Sequence, residues 1–424
     1  MAEEILRITG GRKLRGEITV QGAKNSALPL MAASMLCDGE TVLGNVPQLT
    51  DVYAASRILN RLGFRCKISG NTAKIVSGEG ETEIPDEDMR AMRSSVMFLG
   101  PMLGKRKRCV ITMPGGCELG PRPIDLHLDA MRQMGVQIRE QQGKIVCQAE
   151  HLHGARIPLP FPSVGATENV IMAAALAEGE TVLTNAAREP EIADLAGFLN
   201  RCGAKIAGAG EGTVIISGVK KLSGTAYSVM PDRIAAFTWL CACAAAGGTV
   251  CIRGTEPKDM ESCLSVLSAA GCRLGICKDR IYLDCSHPLR NVRYIRTMPH
   301  PGFPTDAQAL IAAVLCTASG TSVIEETVFE SRFKHVGELL RMGADIRVSG
   351  RTAVITGVSG LHGAEVEAMD LRGGAALAAA AAGAEGETVL RGLRHIDRGY
   401  DHFADAFNSL GGNAVRRVIS SAVR

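Results

Sequence analysis

Apolar and polar positions follow one another along the chain in a pattern that repeats six times. Each repeat opens with an Ala-, Leu- and Met-rich stretch, such as SALPLMAASML (26–36) or TDAQALIAAVL (305–315). These stretches are apolar on nearly every side, which predicts a helix that is buried all round. A Gly turn, a β-rich strand, a second helix with one charged face and one or two closing strands follow. This order predicts an α/β fold.

The spacing of one glycine gives the length of the repeat. This glycine ends the second helix of each repeat, where a residue with positive φ is typical. The six glycines are Gly63, Gly135, Gly203, Gly271, Gly343 and Gly411. They are 68 or 72 residues apart, so six units of about 70 residues cover essentially the whole chain.

The two ends of the chain match internal segments. LRITGGRKLRGEITV (6–20) is similar to VIISGVKKLSGTAYSV (214–229), and the sixth unit lacks such a closing segment. The N-terminal strands are therefore expected to complete the sixth unit. We expect two α/β domains of three repeats each, one spanning 21–230 and the other joining 1–20 to 231–424, with a cleft between them.

Composition narrows the classes of function. The net charge of +3 is too mild to indicate a nucleic-acid partner. The longest apolar run, 234–246, is too short for a membrane span, and the acidic N-terminal MAEEILRITG does not resemble a signal peptide. Most of the fourteen cysteines sit singly in apolar runs, which favours free thiols in a reducing cytoplasm. No cluster of metal ligands stands out, so no metal or cofactor is expected.

Cations recur where the predicted helices begin. The buried helices are predicted to begin near Lys24-Asn25, Arg93-Ser94, 163–165, Asp232-Arg233, Thr305-Asp306 and 370–372, and several second helices near Arg122, Arg188, Arg332 and Arg398. A helix N-terminus disfavours a cation by up to about 1 kcal/mol, whereas its free N–H groups bind anions. Either each cation pairs with a nearby carboxylate, or the set binds a ligand with several negative charges between the two domains.

Cys117 lies in none of the apolar runs but in MPGGCELGPRPIDLH (113–127). Gly115 and Gly116 permit a tight turn that exposes the thiol, and Arg122 and a predicted helix follow. A thiol near a cation and a helix N-terminus can have a lowered pKa and act as a nucleophile or an acid. A loop cysteine without a function remains the alternative on these residues alone.

Six segments spread along the chain are specific enough to compare with known families. They are GAKNSALPL (22–30), PGGCELGPRPIDLH (114–127), AAREPEI (186–192), PHPGFPTDAQ (299–308), TVFESRFKHV (327–336) and HIDRGYDHF (395–403). Together they resemble the UDP-N-acetylglucosamine 1-carboxyvinyltransferase family of enolpyruvyl transferases, over the full length of the chain. The resemblance implies two inside-out α/β domains of three repeats each. It also implies transfer of the enolpyruvyl group of phosphoenolpyruvate to the 3-hydroxyl of UDP-N-acetylglucosamine, with release of phosphate, in peptidoglycan precursor synthesis. A cytoplasmic monomer without a cofactor is expected.

The resemblance also implies roles for individual residues. Lys24, Arg122 and Arg398 would hold phosphoenolpyruvate. Cys117 would donate a proton and be alkylated by fosfomycin, and Asp306 would take the proton from the sugar 3-hydroxyl. The positions expected to contact the UDP-sugar or to lie in the same cleft are Asn25, Arg93, Arg122, Pro123, Ile124, Asp125, Leu126, Ser163, Val164, Gly165, Arg233, Val328, Arg332 and Arg372. Met97 stands where some relatives have Trp, which is expected to alter sugar or inhibitor packing.

The implied chemistry is addition followed by elimination. It needs an acid for the alkene carbon, a base for the attacking hydroxyl, and cations for phosphate and carboxylate. Two alternatives stay open: transfer to shikimate 3-phosphate by a related fold, and a paralogue that binds UDP-sugars without turnover.

Overall fold

The structure, a computed structural model, describes residues 2–92, 94–112 and 124–420. These residues divide into two compact units. The terminal unit contains residues 2–21 and 231–420, and the central unit contains the described residues from 22 to 230.

The helices follow the Ala- and Leu-rich stretches of the sequence. Those of the central unit are α1 (Lys24–Ala33), α2 (Thr50–Arg61), α3 (Asp86–Ala91), α4 (Leu99–Arg106), α5 (Asp125–Gln133), α6 (Val164–Ala174) and α7 (Pro190–Arg201). Those of the terminal unit are α8 (Arg233–Ala246), α9 (Glu261–Ala269), α10 (Gln308–Leu315), α11 (Val336–Arg341), α12 (Leu371–Gly383) and α13 (Phe403–Ser409). Short 3₁₀ turns span Ser34–Leu36, Ser95–Phe98, Pro257–Met260, Thr305–Ala307 and Leu393–His395.

The strands are short and occur in the repeat positions predicted for them. In chain order they are β1 (Ala2–Thr9), β2 (Arg15–Thr19), β3 (Cys37–Asp38), β4 (Glu40–Gly44), β5 (Arg65–Ser69), β6 (Thr72–Val76), β7 (Arg108–Thr112), β8 (Gln137–Gln141), β9 (Lys144–Gln148), β10 (Arg156–Pro158), β11 (Glu180–Thr184), β12 (Lys205–Ala207), β13 (Thr213–Ser217), β14 (Leu222–Ser223), β15 (Ala226–Ser228), β16 (Thr249–Arg253), β17 (Arg273–Cys277), β18 (Arg280–Asp284), β19 (Tyr294–Arg296), β20 (Thr321–Glu325), β21 (Asp345–Ser349), β22 (Thr352–Thr356), β23 (Glu365–Glu367), β24 (Glu387–Arg391) and β25 (Ala414–Ser420).

The strands form related sheets in both units. The described residues of the central unit form sheets in the orders β15-β4-β6-β5, β7-β9-β8 and β10-β11-β13-β12, with a short pair β14-β3. Those of the terminal unit form β17-β18-β16-β2, β19-β20-β22-β21 and β23-β24-β1-β25. Strand β1 lies between β24 and β25, and β2 pairs with β16. Strand β1 thus completes the sheet of the sixth repeat, whereas β2 joins the sheet of the fourth repeat, so the expectation that the N-terminal strands complete the sixth unit holds for β1 only.

In both units the helices lie inside and the sheets outside. At the centre of the terminal unit α8, α10 and α12 pack on one another, and in the central unit α4 packs on α6 and α1 on α7. Every residue from 372 to 382 of α12 is buried, because its sequence is apolar or small on all sides apart from one arginine. The sheets instead alternate buried and exposed residues, since each covers the core with one face only. This arrangement is the inside-out α/β fold that the resemblance implies.

Most of the described cysteines are buried free thiols. Among the described residues eleven cysteines are free, and ten of these are buried. Cys272 and Cys285 instead form a disulfide. They flank the hairpin of β17 and β18, whose antiparallel pairing brings their Cα atoms to 4.8 Å. The expectation of free thiols therefore does not hold for this pair.

No described helix is both long and apolar enough to cross a lipid bilayer.

Candidate active site

The predicted site residues are spread over both units. Four of them, Arg93, Cys117, Arg122 and Pro123, lie outside the described residues. The others fall into one group in the central unit and one in the terminal unit.

Lys24 opens the central-unit group as the first residue of α1. Its Nζ lies 2.7 Å from Oδ2 of Asp51, a buried carboxylate in the first turn of α2. The Lys24 side chain is 13% exposed, and the neighbouring Asn25 is exposed. Because the start of α1 carries partial positive charge, Asp51 stabilises a cation that the helix would otherwise disfavour.

The first turns of α5 and α6 lie against each other in the same unit. The Ser163 hydroxyl accepts a hydrogen bond from the Ala166 N–H at 3.4 Å and so caps α6. At Gly165 a Cβ atom would lie 3.0 Å from Cε1 of His127, so glycine permits the close approach of α5. This contact places 124–126, at the start of α5, beside 163–165.

Asn169 fixes the position of His127. Its Oδ1 accepts from the Gly100 N–H at 2.6 Å, and its Nδ2 donates to the Val96 carbonyl at 3.1 Å and to Nδ1 of His127 at 2.8 Å. Since Nδ1 accepts, the neutral ring carries its proton on Nε2. Burial lowers the pKa of His127 to about 4, so the ring stays neutral at neutral pH.

The neutrality of His127 predicts a pH-dependent stability. In the unfolded chain His127 takes up a proton near its ordinary pKa of 6.5, whereas in the folded chain it does so near 4. The stabilisation is therefore complete above pH 6.5 and is lost as the pH falls towards 4. Between pH 7 and pH 5 the free energy of unfolding should fall by about 2 kcal/mol more in the wild type than in His127→Gln, measured by urea denaturation. His151→Gln, at an exposed position, is the control and should follow the wild type. Parallel curves for the wild type and His127→Gln would contradict the assignment.

In the terminal unit Asp306 lies between two buried arginines. Nη2 of Arg332 is 2.6 Å from its Oδ1, and Nη2 of Arg372 is 3.2 Å from its Oδ2. The arginine side chains are 4% and 5% exposed, whereas that of Asp306 is 28% exposed. Burial alone would raise the pKa of Asp306, but the charges of Arg372, Arg332 and Arg233 hold it well below its ordinary value. Asp306 is therefore ionised at neutral pH, and it is a weak base while both arginines face it.

Tyr400 contacts Arg372 through a hydrogen bond and through its ring. Its buried hydroxyl accepts from Nη1 of Arg372 at 3.3 Å and lies 2.7 Å from Oγ1 of Thr238. The Arg372 guanidinium carbon lies 5.9 Å from the centre of the Tyr400 ring. Tyr400 thus links α8 to the guanidinium that faces Asp306. Sequence reasoning did not single out this residue, although it lies in the HIDRGYDHF segment.

The helix starts differ in part from their prediction. Arg233 and Arg372 do lie in the first turns of α8 and α12, but Asp232 and Asp370 cap these helices with hydrogen bonds of 2.9 to 3.0 Å. The free N–H groups expected there are therefore partly occupied. Lys24, Arg332 and Arg372 each pair with a carboxylate, and the binding of an anionic ligand by the set stays a prediction.

Two of the predicted second helices begin later than expected. Arg332 lies in the loop before α11, which begins at Val336. Arg398 lies before α13, whose start is delayed by the left-handed backbone of His402 at φ 44°. The prediction that these arginines stand at helix N-termini was wrong.

Two further expectations concern a metal and Met97. Within the described ranges no group of three or more His, Cys, Asp and Glu side chains could hold a metal ion. Met97 is 3% exposed and packs into the core of the central unit.

Comparison with known proteins agrees with the resemblance seen in the sequence. The model of the EPSP synthase (3-phosphoshikimate 1-carboxyvinyltransferase) family matches residues 8–407. UDP-N-acetylglucosamine 1-carboxyvinyltransferase 2 of Caldanaerobacter subterraneus subsp. tengcongensis is 48% identical over 97% of this chain and 99% of that protein. UDP-N-acetylglucosamine 1-carboxyvinyltransferase 1 of Carboxydothermus hydrogenoformans is 47% identical over 97% of each.

A solved structure shares the fold. The enolpyruvyl transferase NikO from Streptomyces tendae superposes with a TM-score of 0.89 at 24% identity, covering 99% of this chain and 100% of that one. The chain therefore belongs to the EPSP synthase family of enolpyruvyl transferases, among the relatives named UDP-N-acetylglucosamine 1-carboxyvinyltransferase.

Proposed function

We propose that the chain transfers the enolpyruvyl group of phosphoenolpyruvate to the 3-hydroxyl of UDP-N-acetylglucosamine, releasing phosphate in peptidoglycan precursor synthesis. The observation that carries this proposal is the 48% identity, over nearly the full length of both chains, to a relative named for that reaction. The family model is named for transfer to 3-phosphoshikimate, whereas the relatives that are 47–48% identical are named for transfer to UDP-N-acetylglucosamine. The two reactions differ in the acceptor.

The proposed reaction assigns one proton to each of two residues. In the addition step the sugar 3-oxygen bonds to C2 of phosphoenolpyruvate, Asp306 takes the hydroxyl proton, and Cys117 gives a proton to C3. In the elimination step a proton returns from C3 to the Cys117 thiolate, the C2–C3 double bond forms again, and phosphate leaves from C2. The ionised state of Asp306 supports its role as the base, because only a carboxylate can accept the proton.

The low pKa of Asp306 has a consequence for the order of events. While Arg332 and Arg372 both face the carboxylate, it holds a proton weakly. An anionic substrate group that binds either arginine would partly neutralise its charge, and this would raise the pKa of Asp306. We therefore propose that binding of the substrates increases the basicity of Asp306 before the hydroxyl proton moves.

The remaining residues are proposed to bind the two substrates. Lys24, Arg122 and Arg398 would hold the phosphate and carboxylate of phosphoenolpyruvate, for which Lys and Arg are suited. The proposed contacts of the UDP-sugar are Asn25, Arg93, residues 122–126, residues 163–165, Arg233, Asp306, Val328, Arg332 and Arg372. The packing of 124–126 beside 163–165 supports this grouping within the central unit.

We further propose that the enzyme acts as a monomer in the cytoplasm. Ten buried free thiols among the described residues favour a reducing compartment, whereas the Cys272–Cys285 disulfide is more typical of an oxidising one.

Acceptor dependence provides the test. The purified protein should release phosphate from phosphoenolpyruvate when UDP-N-acetylglucosamine is present. With either substrate alone, phosphate release should be at least about a hundredfold slower, because the acid and the base act only when both substrates are bound. Shikimate 3-phosphate is the parallel acceptor and should give no release. Phosphate release from phosphoenolpyruvate with shikimate 3-phosphate but not with UDP-N-acetylglucosamine would support the EPSP synthase reaction instead. Tight UDP-sugar binding without release would identify a paralogue that binds without turnover.

A further inference from the structure

Glu326 is a buried carboxylate immediately after β20, and the proposed reaction assigns it no role. Its exposure is 1%. Ser322 and Ile324 are the buried residues of β20, so the two-residue period of the strand carries Glu326 to the same inward face. Burying a carboxylate costs free energy unless hydrogen bonds compensate for the lost water.

Four donors surround the Glu326 carboxylate. Oε1 accepts from the Thr297 hydroxyl at 3.0 Å and from the N–H groups of Val328 and Phe329 at 2.8 and 3.0 Å. Oε2 accepts from the Thr305 hydroxyl at 2.9 Å. A single side chain therefore joins the residue after β19, the turn before α10 and the loop after β20.

Two of these segments carry residues of the candidate site. Thr305 directly precedes Asp306 in the turn Thr305–Ala307, and the loop after β20 carries Val328 and Arg332. The ion pair between Asp306 and Arg332, at 2.6 Å, connects the same two segments. The turn is thus tied to the loop at two points, through Thr305–Glu326 and through Asp306–Arg332. The first tie fixes the turn independently of the Asp306 carboxylate.

The four donors require an acceptor in this place. An apolar side chain of similar size would leave two hydroxyls and two N–H groups unsatisfied, which costs free energy. Hydrogen bonds to a charged acceptor are short and directional, so they hold one geometry. The carboxylate therefore adds orientation to the turn and to the loop.

We propose, on the basis of the proposed function, that Glu326 is a positioning residue for the transfer reaction. Through Thr305 it holds Asp306 where its carboxylate meets the 3-hydroxyl of the sugar. Through the Val328 N–H it holds the loop that contacts the sugar nucleotide. The reaction is sensitive to both, because proton transfer requires donor and acceptor within hydrogen-bond reach.

Substitution of Thr305 separates positioning from stability. Thr305→Val keeps the shape of the side chain and removes the bond to Glu326, so kcat should fall about tenfold while the Kd for UDP-N-acetylglucosamine stays within about threefold. Thr305→Ser keeps the hydroxyl and should restore kcat. Thr388→Val is the matched control in the same unit, since the buried Thr388 hydroxyl makes no hydrogen bond within the described residues. All variants are assayed at a temperature at which circular dichroism shows them folded.

The outcomes distinguish the two proposals. A wild type without turnover contradicts the proposed transfer reaction. If the wild type is active and the kcat of Thr305→Val lies within twofold of that of Thr388→Val, the role proposed for Glu326 is wrong. It is also wrong if Thr305→Val loses kcat and Thr305→Ser does not restore it. If Thr305→Val does not fold, Glu326→Asp is assayed instead. Its shortened carboxylate cannot reach both the Thr305 hydroxyl and the Val328 N–H, so kcat should again fall about tenfold, and kcat within twofold of the wild type overturns the proposal.

Discussion

Replacing Asp306 by asparagine should lower kcat about a thousandfold, since a positioned general base contributes about a hundred- to ten-thousandfold to such reactions. Asparagine has nearly the same shape, and its one amide oxygen can accept from Arg332 or from Arg372 but not from both in this arrangement. It cannot take the proton of the sugar hydroxyl. The measurement is phosphate release with both substrates at saturation, combined with calorimetric titration of UDP-N-acetylglucosamine. Binding should remain measurable, because the arginines stay in place.

The control for Asp306→Asn is Asp345→Asn. Asp345 is an exposed carboxylate at the start of β21 in the same unit. This variant should keep the wild-type kcat. Asp306→Asn with a kcat within tenfold of the wild type would show that another group accepts the proton.

Replacing Cys117 by serine should abolish covalent labelling by fosfomycin and reduce turnover by at least about a hundredfold, because a hydroxyl is a far weaker acid than a thiol. The resemblance carries this prediction, since Cys117 lies outside the described residues. Labelling is followed by mass spectrometry of the intact protein and of its peptides, and turnover by phosphate release.

A second thiol provides the matched control for Cys117→Ser. Cys277, at the end of β17, is the exposed free cysteine among the described residues. Cys277→Ser should therefore keep both labelling and turnover. Persistent labelling of Cys117→Ser, or its loss in Cys277→Ser, would place the reactive thiol elsewhere in the chain.

The repeat pattern predicted most of the fold because it depends on local periodicity. Apolar stretches such as 26–36 became buried helices, and the glycines at the repeat ends adopt positive φ, as at Gly63 and Gly203. The similarity between the first residues and internal closing segments predicted that the N-terminal strands join the sixth unit, which is correct for β1 but not for β2. Each of these features can be predicted from a stretch of about twenty residues or from the similarity between two segments of the sequence.

The environment of the site was harder to predict because it depends on contacts between distant segments. The cations at positions 24, 332 and 372 were identified, but their carboxylate partners were not. Asp51 reaches Lys24 from the next helix, and Asp306 is shared by two arginines from different repeats. Only the three-dimensional packing brings these groups together.

The burial of Glu326 could have been predicted from the sequence pattern of β20. It follows Glu325, and two adjacent glutamates at a strand end suggest a solvated turn. The alternation of β20 nevertheless assigns Glu326 to the face of Ser322 and Ile324, which is buried. Extending the two-residue period of the strand by one residue predicts a buried carboxylate directly after β20.

The proposed reaction forms an enolpyruvyl ether on the sugar nucleotide. Mass spectrometry and proton NMR can determine the structure of the product after incubation with phosphoenolpyruvate and UDP-N-acetylglucosamine. The proposed reaction predicts UDP-N-acetylglucosamine with an enolpyruvyl group on its 3-oxygen, formed in amounts equal to the phosphate released. Phosphate release without this ether, or an enolpyruvyl group on a different acceptor, would contradict it.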